Sequence, residues 1–198
     1  RNLYKNAFGN KVIFEEINHD LEVSFTYEWN STDRYGFVRK SLLSNAGTSQ
    51  VKVQFIDGIQ NVLPFGIEQA LQNSTSNLVD AYKRTELVAG SSLAVFALSA
   101  IIVDKAEPSE ALKSNVAWSL GLDNPTILLS SLQLDTFRRG QQVSQETDVK
   151  AEKGAYFLNS EVTLAPQKSK EWLLVADVNQ SISDVVSITS EISTISDL

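Results

Sequence analysis

The chain of 198 residues has no cysteine, no methionine, a single histidine and only four prolines. Without cysteine there can be no disulfide, no thiolate metal ligand and no cysteine nucleophile, although the absence assigns no compartment. The one histidine, His19, stands between Asn18 and Asp20 in a polar stretch. With no second histidine it lacks the partners a metal site needs, and a Ser-His-Asp set would have to be assembled on an exposed turn. We read it as a turn residue. A block of one charge sign is also missing: 17 Lys and Arg are interleaved with 24 Asp and Glu, for a net charge of −7. That balance argues against nucleic acid or an anionic membrane as partner. The longest apolar run, Leu93 to Val103, is interrupted by Ser99 and is too short to cross a bilayer. Because the residues begin at Arg1 and include no methionine, the expectation is a piece of a longer protein.

What is present is alternation. In LEVSFTYEW, Leu21 to Trp29, the residues Leu21, Val23, Phe25, Tyr27 and Trp29 share one side of a strand, and Glu22, Ser24, Thr26 and Glu28 share the other. This is a half-buried antiparallel strand, and a second sheet is expected behind it. Lys11 to Ile17 precedes it through an Asn18-His19-Asp20 turn, and Tyr35 to Leu43 follows the polar loop Asn30 to Asp33. Asn45 to Ser49 then turns the chain into Val51 to Phe55, and Asp57-Gly58 reads as a tight turn before Ile59 to Leu63.

Ile67 to Gln72 suits one or two helical turns. Leu78 to Val88 and Leu93 to Val103 read as buried strands around the Ala89-to-Ser92 loop, with Asp104 to Glu110 as the next turn. Further strands are expected at Ala111 to Leu120, Thr126 to Leu134, Glu146 to Ala151, Ala155 to Leu158, Glu161 to Ala165 and Glu171 to Val178, with a Lys153-Gly154 turn among them. Turns at this spacing indicate a large all-β sandwich over residues 1–178. The tail, 179–198, is different: Ile182, Val185, Val186, Ile192 and Ile195 recur at helical spacing, so a linker helix needing a partner surface is expected.

Chemistry is sparse. Glu107 and Glu110 could form an acid pair, but flanking Pro108-Ser109 they fit a solvated turn better, and Asp57 reads as the first residue of its turn. Gly58 and Gly66 lack the context of a phosphate-gripping loop. The best functional hint is aromatic: Trp29 and Tyr35, near Tyr27, could stack on a sugar ring while Asp33, Arg34 and Arg39 supply hydrogen bonds. No catalytic residue and no cofactor is expected.

The order of Ile56-Asp57-Gly58-Ile59-Gln60-Asn61-Val62-Leu63-Pro64-Phe65-Gly66, then Ser76 to Arg84, then Asp104 to Leu112, resembles the N-terminal super-sandwich domain of bacterial proteins of the cellobiose phosphorylase type. Phe137-Arg138-Arg139-Gly140, Lys153-Gly154-Ala155-Tyr156 and Glu171 to Asp177 continue the likeness, from about Val12 to Val178. The resemblance implies a galactose mutarotase-like pair of antiparallel sheets joined by a linker helix to an (α/α)-barrel that carries the catalytic carboxylate. It further implies a sugar ligand, contact with that downstream domain, possible homodimerisation, and a soluble bacterial protein of cytoplasm or periplasm. On this reading the domain frames a sugar site of a glycoside phosphorylase or hydrolase without catalysing the reaction itself. The alternative is an independent carbohydrate-binding or adhesion module.

Overall fold

The computed structural model describes residues 1–100 and 111–195. Nine strands form one antiparallel sheet: β1 (Asn2–Lys5), β2 (Val12–Asn18), β3 (Val23–Thr32), β4 (Gly36–Asn45), β6 (Lys83–Leu87), β7 (Ala94–Leu98), β8 (Ser114–Leu120), β10 (Asp148–Lys150) and β12 (Ser169–Gln180). Their order across the sheet is β1-β2-β3-β4-β12-β8-β7-β6-β10. A second sheet of three strands, β5 (Val51–Val62), β11 (Gly154–Leu164) and β9 (Thr126–Leu128), lies against it in the order β5-β11-β9. The chain is thus an all-β sandwich of two antiparallel sheets. Short helices α1 (Gln69–Ser74), α2 (Ser76–Tyr82) and α3 (Leu134–Arg138) sit in connections, and α4 (Ile182–Thr194) follows the last strand.

The main core lies between the sheets. Val23, Leu43, Phe96, Trp172 and Leu174 of the large sheet meet Tyr156, Leu158, Val53 and Phe55 of the small one. The outer face of the large sheet is covered by α4, whose Val185, Ile188 and Ile192 pack on Val116, Trp118 and Val175. So the apolar stripe of the tail does form a helix, and the sheet is its partner. Ser181 caps it: its hydroxyl accepts from the Asp184 amide while the Asp184 carboxylate accepts from the Ser181 amide. Of the stripe expected from sequence, Val185 and Ile192 face the sheet whereas Ile182 and Val186 are exposed.

Four strand assignments need correction. Asp57-Gly58 is no turn: β5 runs unbroken from Val51 to Val62, paired with β11. Glycine is needed there because a Cβ at Gly58 would lie 2.0 Å from the Tyr156 carbonyl oxygen on that neighbouring strand. Leu78 to Val88 is split, its first half helical in α2 and only Lys83–Leu87 extended. Thr126 to Leu134 keeps three strand residues before turning into α3. The break expected at Lys153-Gly154 falls at 151–153, between β10 and β11, but Ala155 to Leu158 and Glu161 to Ala165 are a single strand, since β11 runs from Gly154 through Leu164. The expected Asp104-to-Glu110 turn, and with it Glu107 and Glu110, lies outside the described residues.

One buried group links the fold to pH. Tyr156 is wholly buried; its hydroxyl donates to the Ser92 carbonyl at 2.7 Å and lies 3.0 Å from the Ser119 hydroxyl. Burial pushes the phenol above its ordinary value, and the two hydrogen bonds only partly offset this. The unfolded chain releases this proton at about pH 10 while the folded one holds it, so stability is intact below that value and falls as pH rises through it. Urea midpoints at about pH 8 and about pH 11 are expected to drop less for Tyr156→Phe than for the parent. Equal drops would show that this phenol is not the group responsible.

Candidate functional site

The small sheet does not cover the whole of the large one. Exposure grows from β4 outward, until every residue of β1 is exposed. Registry places Leu3, Phe14, Tyr27, Ser41 in one row and Lys5, Val12, Trp29, Arg39 in the next, all on the side that faces the small sheet further along. An aromatic face results. Phe14 stacks on Tyr27 at 4.8 Å with 16° between planes, and the Arg39 guanidinium lies over Tyr27 at 4.1 Å and near Trp29 at 6.0 Å. Phe14 is 37% exposed and Leu3 65%.

Beneath the inner end of this face is a buried polar cluster. Asp57 of β5 accepts hydrogen bonds from Arg39 Nη2, from the Ser41 hydroxyl at 3.0 Å and from the Trp172 indole N–H at 2.8 Å. Arg39 also donates through Nη1 to the Gly58 carbonyl at 3.0 Å, and its Nε has no partner. This ion pair joins the two sheets across the core. A buried carboxylate held by three donors, one of them the Arg39 guanidinium, serves as an anchor for the rings above.

Neither the scan against protein-family models nor the search of curated proteins matches this chain.

The five residues singled out in the sequence do not converge. Trp29 and Arg39 belong to the aromatic face, but Arg39 is buried and bonded to Asp57. Tyr35 goes to the opposite side of the sheet, edge-on to Trp118 under α4 at 6.3 Å, with its hydroxyl 3.4 Å from Glu191. Tyr35 belongs to the turn between β3 and β4, so strand parity does not place it; the turn closes at Gly36, whose φ is +64° and where a Cβ would lie 2.6 Å from an Asp177 carboxylate oxygen. Arg34 follows, paired with Glu191 at 2.9 Å, while Asp33 stays exposed at the turn. The platform of Trp29 with Tyr35 is therefore replaced by Trp29 with Tyr27 and Phe14.

Asp57, Ser41 and Trp172 were missed as a group. The signal was present, because Asp57 continues the row Val51, Val53, Phe55 and precedes Ile59 at the same parity, and a carboxylate on an apolar row calls for buried donors. His19 is exposed in the turn after β2, as read. Among the described residues no three His, Asp or Glu side chains converge to hold a metal ion, and no described helix is long and apolar enough to cross a membrane.

Proposed function

We propose that this sandwich is a non-catalytic domain of a carbohydrate-active protein and that the uncovered face of β1 to β3 is where a sugar chain lies. The observation that carries the reading is the row Phe14-Tyr27 with Trp29 beside it, open to solvent at one end and held rigid at the other by Arg39 on Asp57. Flat rings in a fixed row suit the apolar faces of successive pyranose units, and their rigidity limits the entropy lost on binding. The resemblance to the cellobiose phosphorylase type supports the same substrate class and gives the domain a place, framing a sugar site completed by an attached catalytic domain. Ile182 and Val186 on α4, 76% and 63% exposed, support contact with that domain.

Isothermal titration with a neutral oligosaccharide such as cellopentaose tests the face. Trp29→Ala and Phe14→Ala are each expected to weaken binding about tenfold, or about 1.4 kcal/mol, with the fold retained by circular dichroism. Affinity equal to the parent in both variants, or no binding by the parent, discards the sugar platform. The independent-module alternative parts from the favoured reading in the parent gene, where paired amphipathic helices downstream support an attached barrel and further strands or repeats do not.

A further inference from the structure

A second cavity, away from the aromatic face, has a different chemistry. It opens between the end of β5, the α1–α2 connection and the start of β6, with a volume of about 440 Å³. That is within the range of sites for small molecules. Its walls are unusually polar for one: Gln69, Gln72 and Asn73 of α1, Ser76 of α2, and the cations Lys83 and Lys153. Side-chain amides and a hydroxyl can each donate and accept, which is the pattern that sugar hydroxyls require.

The lysines add charge in a definite way. Lys83 is 2% exposed, donates to the Gln72 side-chain carbonyl, and pairs with Asp80 at 2.7 Å. An ammonium has three N–H donors, so one is left on a group that lines the cavity. Burial alone would raise the Asp80 carboxyl, but hydrogen bonds from Lys83 and Gln72 and the charges of Lys83 and Lys153 hold it below its usual range. The Asp80 carboxylate is thus the counter-charge of Lys83. Lys153 is exposed and has no carboxylate partner within ion-pair distance among the described residues, leaving one positive charge in excess at the rim.

We propose that this cavity binds a small polyhydroxylated compound bearing one acid group, its hydroxyls on the α1 amides and its anion between Lys83 and Lys153. The proposal does not rest on the aromatic face. Titration of the full chain, followed by isothermal calorimetry and by amide shifts in a nitrogen-15 spectrum, would use glucuronate and glucose 6-phosphate as charged sugars. Glucose serves as the neutral sugar and inorganic phosphate as the bare anion. At least one charged sugar is expected to bind more tightly than both glucose and phosphate; which one it is distinguishes a carboxylate from a phosphate ligand. Lys153→Gln, at an exposed position, is expected to weaken that binding about tenfold and Asn73→Ala by a similar factor, while Trp29→Ala leaves it unchanged. Failure of both charged sugars to bind, an affinity no better than that of phosphate or glucose alone, or parent affinity in Lys153→Gln overturns the proposal.

Discussion

Asp57→Ala is expected to destabilise the fold by about 3–5 kcal/mol, the cost of leaving one member of a buried ion pair without its counter-charge. The Arg39 and Asp57 side chains are 5% and 7% exposed, so water cannot replace the lost carboxylate. The substitution also strips the Ser41 hydroxyl and the Trp172 indole N–H of their acceptor. Urea unfolding at neutral pH measures the loss, and a change below about 1 kcal/mol would mean that the pair is solvated and does not tie the sheets together. A companion variant separates the pair's net worth from the cost of breaking it. Arg39→Met combined with Asp57→Leu removes both charges and the unpartnered Nε together, and it is expected to be far milder than Asp57→Ala alone. If the double variant is as damaging as the single one, the orphaned Ser41 and Trp172 donors or the packing, and not the unpaired charge, dominate this part of the core.

Trp172→Ala is expected to cost a similar amount, about 3–5 kcal/mol, by a different route. Trp172 is 1% exposed and is stacked between Phe55 of the small sheet at 4.8 Å and Phe25 of the large sheet at 5.8 Å. Truncation leaves a cavity at the place where the sheets meet, and those two rings cannot both move to fill it without displacing their strands. Trp172→Phe keeps a ring but withdraws the donor to Asp57, so it is expected to cost about 1–2 kcal/mol. The order Ala worse than Phe, read from urea midpoints together with loss of the near-ultraviolet dichroism of the stacked rings, is the check. Similar values for both variants would show that the indole N–H, and not the stack, carries the stabilisation.

The strands that were readable from sequence are those with one buried and one wet face. Val23 to Trp29 and Val51 to Phe55 alternate because their residues face the core and the wet side in turn, whereas Glu171 to Val178 reads as a nearly continuous apolar run because Trp172 and Leu174 face the core and Val175 lies under α4. The helical stripe of α4 was readable for the same reason, at a period of 3.6. Leu78 to Val88 was not, because its run of helix formers and apolar residues fits either state, and the choice depends on whether a neighbouring strand is there to pair. Only Lys83–Leu87 finds one on each side, in β7 and β10. Asn2–Lys5 carries too little pattern to be read, and its strand exists because β2 offers it an edge.

For the candidate site the same division holds. Trp29 could be placed on an apolar face from its own segment, since parity along β3 needs no knowledge of other strands. Tyr35 could not: it lies in the turn between β3 and β4, where parity does not apply, and Trp118 and Glu191, distant in sequence, hold it on the other side of the sheet.

By itself, the sequence determined that these residues build antiparallel strands in two layers followed by an amphipathic helix, and that they hold no cysteine. Tertiary structure alone decided what Asp57 and Gly58 are for. The dipeptide carries the local preferences of a turn, worth little against the alternatives the core provides. Inside the fold, Arg39, Ser41 and Trp172 supply the carboxylate with donors, and β11 runs so close to Gly58 that no side chain fits. Those partners are 16 to 115 residues away along the chain, so their contribution exists only once the sheets have met.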